Sequence, residues 1–243
     1  MNTQAPFPTP PASFYEALAA RGVELDSGDL PRLGHFLSLL QGANAQFNLT
    51  AIKEPEAMWT TLVQDSLMLA PLMLSATAAG ERLRVCDVGS GGGVPALPLA
   101  CVLPECEFTL IESTGKKADF LARAAVELGL SLVRVIRQRA EIVGQDKQLR
   151  ESFDVCTARG LALMPTLLEL CLPLVRPGGV LLAVKGEKAQ GELDGSTRAL
   201  GELRGRVVEL QRTPTGTIVI IEKTGRTPRL YPRMVGEPTR RPV

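Results

Sequence analysis

Apolar residues in the first third of the chain recur three and four positions apart, which is the spacing of one face of an α-helix. Three such stripes are present: Phe14, Ala17 and Leu18; Leu33, Phe36, Leu37 and Leu40; and Met58, Leu62 and Leu69. Pro31 and Pro55 stand near the beginnings of the second and third stripes, and proline is tolerated in the first turn of a helix. The pattern predicts an N-terminal helical extension over residues 1–75.

From residue 83 onwards, short apolar runs alternate with helix-like stretches. The runs cover residues 83–88, 107–112, 132–136, 153–158 and 180–185, and the helix-like stretches cover residues 94–102, 115–129, 162–175 and 187–204. Strands that are apolar on both faces are typical of a parallel sheet buried between two layers of helices. The alternation predicts a doubly wound α/β fold with a Rossmann-like sheet over residues 76–223.

The last two apolar runs are connected differently. Residues 206–212 and 217–223 are separated by Thr213-Pro214-Thr215-Gly216, which is too short for the crossover that parallel strands need. We therefore expect a C-terminal antiparallel hairpin at the end of the sheet. Residues 224–243 form a tail with four prolines, a composition that favours an extended, solvated path.

The charge of this tail differs from that of the whole chain. The net charge of the protein is only +1, which by itself identifies no partner. Between Lys223 and Val243, however, there are six basic residues, and Glu237 is the single acidic residue. Two interpretations remain open for the basic, proline-rich tail: a disordered solubilising segment, or an arm that contacts nucleic-acid phosphates.

The composition is that of a globular protein, because 45% of the 243 residues are hydrophobic and 22% are charged. The length suits one domain with a small extension. No run of the sequence approaches roughly eighteen consecutive apolar residues, and the N-terminus lacks the basic flank and apolar core of a signal peptide. We therefore expect no membrane segment and a cytoplasmic location.

The five cysteines do not suggest a disulfide or zinc framework. Their number is odd, none forms a C-x-x-C pair, and His35 is the single histidine. We expect the cysteines to be small buried hydrophobic residues, and we expect no metal site. No neighbouring residue would orient His35 as a catalytic base, so we interpret it as a surface or structural histidine.

A glycine-rich loop follows the first strand, where doubly wound sheets bind ligands. It reads Asp87-Val88-Gly89-Ser90-Gly91-Gly92-Gly93-Val94-Pro95. Glycines let the backbone turn tightly beside a ligand, and the N-terminus of the next helix supplies free N–H donors. The loop predicts a cofactor site. A purely structural glycine turn is the alternative, because Val94 stands where a dinucleotide motif has its third glycine.

Acidic residues at the strand ends narrow the choice of cofactor. Asp87, two residues before Gly89, suits a cationic sulfonium better than a pyrophosphate. Glu112, 23 residues after Gly89, stands where a carboxylate accepts hydrogen bonds from the ribose of NAD or of S-adenosylmethionine (SAM). Arg139-Ala140-Glu141 is placed to close over an adenine. These residues favour SAM; an NAD-dependent dehydrogenase and an RNA-binding factor with a vestigial pocket are the alternatives.

Taken in order, seven motifs resemble the bacterial glucose-inhibited division protein B family. The motifs are FNLTAI (47–52), Asp65-Ser66, DVGSGGGVPALPLA (87–100), Glu112-Ser113-Thr114, RAE (139–141), ARG (158–160) and VKG (184–186). The resemblance implies a SAM-dependent methyltransferase that modifies N7 of a guanosine, at position 527 in the 530 loop of 16S ribosomal RNA. It also implies a partner, either the small ribosomal subunit or an assembly intermediate. We expect a monomer.

The resemblance also assigns residues to the site. It implies SAM contacts from Gly89, Val94, Glu112, Ser113, Thr114, Ala140, Glu141 and Arg159, to which the loop itself adds Asp87 and Gly91. It places Asn48, Arg159 and Lys185 near the reacting methyl group as candidate catalytic residues. Each has a simpler interpretation: Asn48 as a helix cap, Arg159 as a ligand of the methionine carboxylate, and Lys185 as a surface charge.

Two positions depart from the pattern of that family. The family usually has a glycine where this chain has Ala96, and a histidine where it has Leu62. The first change affects only how closely a helix can approach the loop. The second puts in doubt any contact that an imidazole at this position makes with RNA.

Overall fold

The computed structural model describes residues 7–76 and 81–243. Seven strands form one sheet in the order β3-β2-β1-β4-β5-β7-β6. The strands are β1 Arg84–Val88, β2 Glu107–Ile111, β3 Val133–Ile136, β4 Phe153–Arg159, β5 Val175–Lys185, β6 Gly205–Thr213 and β7 Gly216–Lys223. Strands β1 to β5 are parallel, whereas β7 is antiparallel to both β5 and β6. The doubly wound sheet and its C-terminal hairpin are confirmed.

The helices complete the layers on both faces of the sheet. The N-terminal ones are α1 Ala12–Ala19, α2 Asp29–Phe47, α3 Pro55–Ala57, a π-helix Met58–Gln64, α4 Asp65–Leu67 and α5 Ala70–Leu74. Those between the strands are α6 Ala96–Val102, α7 Gly115–Glu127, α8 Ala140–Val143, α9 Met164–Cys171, α10 Ala189–Asp194 and α11 Thr197–Leu203, and α12 Glu237–Arg240 lies near the C-terminus.

The N-terminal helices share a hydrophobic core with the sheet. Phe14 of α1, Leu37 of α2 and Trp59 of the π-helix are buried in one cluster with Val85 of β1 and Leu121 of α7. The helical character predicted for this part of the chain is confirmed, but its third stripe is interrupted by the wider π-helix. The division of the chain into two parts at residue 75 remains a prediction. The residues on either side of this boundary share one hydrophobic core, so packing does not separate the two parts.

Three element boundaries differ from those predicted. Strand β5 begins at Val175, which pairs with Phe153 of β4 before a bulge; within that bulge an added Cβ on Gly179 would lie 2.6 Å from the Asp154 carbonyl oxygen. Helix α9 ends at Cys171, shortly before Pro173. The predicted helix over residues 187–204 is two helices, α10 and α11, separated by Gly195 and Ser196.

The proline-rich tail is not solvated along its whole length, so that expectation is wrong. Lys223 and Thr227 are buried, and the Lys223 ammonium donates 2.6 Å to the Thr227 hydroxyl. Burial lowers the pKa of Lys223 to about 8, and Glu151 opposes the shift. Further along, the Arg233 guanidinium binds the carboxylate of Glu169, which is fully buried in α9. A buried carboxylate needs a partner, and the tail supplies one.

All five cysteines are buried, as predicted. Burial raises the pKa of the Cys86 and Cys171 thiols well above the ordinary range. Within residues 7–76 and 81–243, no helix is both long enough and apolar enough to cross a membrane.

Candidate active site

The glycine loop lies at the carboxyl edge of the sheet, between β1 and α6. Gly89, Gly91 and Gly93 have φ angles of 73°, 52° and 86°, a backbone region that favours glycine. At Gly89 an added Cβ would also lie 2.6 Å from Cδ1 of Leu161, in the loop after β4. The backbone conformation therefore favours glycine at these positions, and the tip of the Leu161 side chain would have to move to admit a Cβ at Gly89. Val94, the next residue after these glycines, is half-buried against the hydrophobic core.

The Glu112 carboxylate links this loop to the end of β2. One oxygen, Oε2, accepts the Gly91 N–H at 2.9 Å, and the other, Oε1, accepts the Thr114 N–H at 2.7 Å. A carboxylate oxygen has two lone pairs, so each one keeps a further acceptor position. Ser113 and Thr114 are exposed beside it, at the beginning of α7. This arrangement can accept hydrogen bonds from two neighbouring hydroxyl groups of a ribose.

Asp87 orders the sheet immediately before the loop. Its Oδ1 accepts the Thr157 hydroxyl at 2.6 Å, and the two residues are neighbours in the register of β1 and β4. Its Oδ2 is buried and has no hydrogen-bond partner among the described residues. Burial raises the pKa of Asp87 to about 7, although the Thr157 hydrogen bond opposes the shift. The residue is thus a buried carboxyl group, not a group displayed on the loop surface.

Ala140 and Glu141 begin α8, after the edge strand β3. The Glu141 side chain is almost fully buried, and its Oε1 accepts the Arg139 guanidinium at 3.0 Å and the Gly236 N–H at 2.9 Å. Burial acts to raise the pKa of Glu141, but these hydrogen bonds, together with one from its own backbone and the charge of Arg139, lower the pKa below the ordinary value. The carboxylate therefore faces the C-terminal tail. Only the backbone groups of Ala140 and Glu141 are left to contact an adenine.

Arg159, the last residue of β4, reaches the N-terminal helices. Its Nη1 donates 2.8 Å to the carbonyl oxygen of Thr61 in the π-helix, an element often found at functional sites. Burial lowers the pKa of Arg159, and the nearby Asp65 carboxylate opposes the shift. Four other guanidinium N–H donors remain for a ligand. Arg159 thus lies between the N-terminal helices and the carboxyl edge of the sheet.

Asp65 is a buried acid that sequence reasoning used only as part of a motif. Its Oδ2 accepts the Thr215 hydroxyl from the hairpin turn, and its Oδ1 has no partner within the part of the chain that is described. Burial raises the pKa of Asp65, whereas Thr215 and Arg159 lower it. The π-helix region, the end of β4 and the hairpin turn therefore meet around one carboxyl group.

Lys185 lies at the end of β5, but its ammonium group is engaged by the protein. The Nζ atom is 2.6 Å from a carboxylate oxygen of Glu192 and donates 2.9 Å to the carbonyl oxygen of Ala162. The same Glu192 oxygen accepts the Met164 N–H at 2.9 Å. These bonds tie the loop after β4 to α10. The geometry therefore supports a structural role for Lys185 more directly than a contact with substrate.

Asn48 terminates α2 in the left-handed conformation, with a φ angle of 50°. Its N–H donates 3.3 Å to the Asn44 carbonyl oxygen, which is the geometry of a helix C-cap. The next residue, Leu49, contacts the glycine loop: an added Cβ on Gly92 would lie 3.4 Å from the Leu49 Cβ. The structure thus brings exposed Asn48 close to the loop, and it also shows the capping role.

Burial and internal hydrogen bonds limit what the residues around the site can offer to RNA. Leu62 is 4% exposed in the hydrophobic core, so the position where the family has histidine presents no group to a ligand. Arg32 donates to the carbonyl oxygen of Cys101, at the end of α6 that is remote from the glycine loop. By contrast, Lys116 at the beginning of α7 lies 5.8 Å above the ring of Phe47, next to Asn48.

Sequence reasoning missed Thr157, Glu169 and Glu192 as partners of site or tail residues. Thr157 and Glu169 carried a signal, since each is a polar residue within a run that is mostly apolar. Such a residue has to find a partner when it is buried. Glu192 carried none, because an acidic residue on a short amphipathic helix is ordinary.

The residues at this edge fit SAM. Gly89 and Gly91 present backbone without a Cβ, and Glu112 keeps acceptor positions for ribose hydroxyls. Asp87 is buried beneath the loop and supports it through the hydrogen bond with Thr157, so it does not present a charge at the loop surface. A doubly wound sheet of this order, with this loop after β1 and an acid after β2, defines the class of SAM-dependent methyltransferases.

Comparisons with known proteins agree with this class. A SAM-dependent methyltransferase from Aquifex aeolicus superimposes with a TM-score of 0.53 at 14% identity, over 72% of this chain and 96% of the other, and so shares the fold. The family model for rRNA small subunit methyltransferase G, GidB, matches residues 29–216.

Curated relatives match nearly the whole chain. The Ribosomal RNA small subunit methyltransferase G of Sorangium cellulosum is 45% identical over 92% of this chain and 92% of its own length. The protein of that name from Geobacillus sp. is 36% identical over 96% and 98%. The chain belongs to the rRNA small subunit methyltransferase G family.

Proposed function

We propose that the protein transfers a methyl group from SAM to N7 of guanosine 527 in the 530 loop of 16S ribosomal RNA. The observation that carries the cofactor part of this proposal is the Glu112 carboxylate, which holds the Gly91 and Thr114 amides at the carboxyl edge of the sheet. Family membership supports the nucleic-acid substrate. The protein acts as a cytoplasmic monomer on the small subunit or on one of its assembly intermediates.

On the cofactor side, SAM supplies an electrophilic methyl group on a sulfonium. Glu112 accepts hydrogen bonds from the ribose, and the backbone of Gly89 and Gly91 lies beside the cofactor without steric hindrance. Ser113 and Thr114 extend the ribose side, whereas Ala140 and Glu141 contribute the adenine side through their backbone. Asp87 stabilises the loop from below through Thr157. Binding and orientation are thus distributed over the ends of β1, β2 and β3.

On the substrate side, Arg159 is the best placed of the candidate catalytic residues. Its guanidinium is anchored on Thr61 and keeps donors that can bind guanine O6 or the methionine carboxylate. Asn48 lies next to the glycine loop through Leu49 and can contact the flipped nucleotide. Lys185 holds the loop after β4 in place through Glu192, so we assign it a supporting role.

The reaction needs no general base, since N7 of guanine has an exposed lone pair and no proton. The rate enhancement then comes from holding N7 in line with the methyl carbon, an effect worth roughly 7 to 11 kcal/mol when the geometry is good. An RNA base is read most readily when it is unpaired, so the guanosine has to leave its stack to reach the pocket. A site without histidine suits this chemistry.

The experiment that tests the proposal is transfer of labelled methyl groups from SAM to small ribosomal subunits from a strain that lacks this gene. The modified nucleotide is mapped by chemical cleavage at 7-methylguanosine. Label on N7 of one guanosine in the 530 loop is the expected result. SAM binding without label on particles or on free RNA would contradict the substrate assignment, and would favour an RNA-binding factor with a vestigial pocket.

A further inference from the structure

A second feature of the tail bears on the cofactor site. Residues 227–238, which we call the C-terminal strap, cross the side of the protein that carries α8. The Arg150 guanidinium, in the segment between α8 and β4, donates 2.9 Å to the Thr227 carbonyl oxygen and 2.6 Å to that of Tyr231. The Gln145 side-chain amide donates 2.8 Å to the carbonyl oxygen of Pro232. The strap is therefore bound along the segment that follows α8.

The strap is also anchored in the protein interior. Glu169 is 0% exposed in α9, and its Oε1 accepts both the backbone N–H of Arg233 at 2.9 Å and the Arg233 Nε at 2.8 Å. Further along, the Thr166 hydroxyl, also in α9, donates 2.9 Å to the Pro238 carbonyl oxygen. These two anchors fix the backbone on either side of Gly236.

Gly236, held between the anchors, reaches the beginning of α8. Its N–H donates 2.9 Å to the Glu141 carboxylate, which is itself almost fully buried. Ala140 and Val143 pack against the hydrophobic core, but β3 is a four-residue edge strand and residues 137–139 before α8 are exposed. The hydrogen bond from Gly236 thus links the strap directly to the side chain of Glu141 at the beginning of α8.

We propose that the C-terminal strap positions the adenine side of the SAM site, with Arg233 and Glu169 as positioning residues that act through Gly236 and Glu141. This inference rests on the proposed function, which gives the backbone of Ala140 and Glu141 to the adenine. It assigns the central part of the basic tail to cofactor binding and not to RNA. Arg233 is already used by Glu169, so its charge is not available to a phosphate.

The test uses the full chain with the double substitution Arg233→Gln and Glu169→Gln, which removes the ion pair of the anchor without leaving a buried unpaired charge. The matched control is Arg206→Gln with Glu222→Gln, an exposed ion pair in the β6–β7 hairpin. Calorimetry gives the Kd for SAM and for 5′-methylthioadenosine, and steady-state kinetics on small subunits give kcat and both KM values. Unfolding of the unliganded variants is followed by circular dichroism.

We expect the anchor variant to raise the Kd of both adenosine ligands and the KM for SAM by on the order of tenfold, with kcat at saturating SAM unchanged. The control should match the wild type. An unchanged Kd and KM for SAM, or a KM that rises for the RNA substrate instead, would overturn the inference. A wild-type protein that binds no SAM would instead overturn the proposed function.

If the double variant does not fold, Thr166→Val replaces it. This substitution removes one hydroxyl hydrogen bond to Pro238 and leaves the Glu169 ion pair intact. A rise of at least about twofold in the KM for SAM at constant kcat supports the inference, and no rise overturns it. A purely structural strap would lower the melting temperature without changing the KM for SAM measured well below it.

Discussion

The buried carboxyl group of Asp87 should make the stability of the unliganded protein depend on pH. Its pKa is about 7 in the folded protein, against 3.8 for an ordinary aspartate, because burial disfavours the charged form. Between these two values the folded state holds a proton that the unfolded state has lost. The free energy of unfolding therefore falls as the pH rises from about 4 to 7, and the loss is complete above the folded pKa.

The structure sets the size of this effect. A difference of about 3 pKa units, at about 1.36 kcal/mol for each unit, corresponds to about 4 kcal/mol. The substitution Asp87→Asn removes the titration, and the oxygen of the introduced amide can still accept the Thr157 hydroxyl. The amide nitrogen would take the place of the unpartnered Oδ2, and any cost of burying it is the same at every pH.

The assay is urea unfolding of the unliganded wild type and Asp87→Asn at pH values from about 4.5 to 8.5. The stability of the variant relative to the wild type should increase across this range by about 3 kcal/mol, most steeply below pH 7. Asp119→Asn, at an exposed position on α7, serves as the control for substitution of a carboxylate. Parallel stability curves for the wild type and Asp87→Asn would refute the reasoning.

Three further predictions concern single sites. Glu112→Ala should weaken SAM binding by about 1.5 to 3 kcal/mol, the range of a charge-assisted hydrogen bond, and wild-type affinity in calorimetry would exclude the ribose role. If Lys185 supports the loop through Glu192, then the single variants Lys185→Met and Glu192→Gln should each reduce both methyl transfer and the melting temperature. If only Lys185→Met loses activity and Glu192→Gln does not, Lys185 contacts the substrate instead. Leu62→His should destabilise the protein by about 2 kcal/mol or more in urea unfolding without tightening RNA binding, because the new imidazole would be buried without a partner. Unchanged stability would show that the side chain can reach the surface.

Much of the fold could be predicted from local patterns. A helical stripe or an apolar strand is a property of a few neighbouring residues, and the hairpin follows from the length of one turn. The cofactor loop was equally visible, since Gly89 and Gly91 adopt backbone conformations that favour glycine. Glu112 could be identified because the end of the second strand is a fixed place in this fold.

The limits of this reasoning appear where a side chain chooses a distant partner. Lys185 and Glu141 were assigned to ligands, yet their charged groups bind Glu192 and the Gly236 amide. A charged residue at the end of a strand shows only that a polar side chain is present there. The direction of that side chain depends on which helix or segment packs beside it.

The amino-acid sequence by itself determined the class of fold, the order of its elements and the carboxyl edge at which the cofactor residues converge. Tertiary structure decided that Asp87 is a buried acid beside Thr157, 70 residues away, and that the basic tail is bound through Arg233 and Glu169, 64 residues apart. The physical reason is that periodicity and turn chemistry act over a few residues. The cost of burying a charge is instead met by whichever partner the complete fold brings within hydrogen-bond distance.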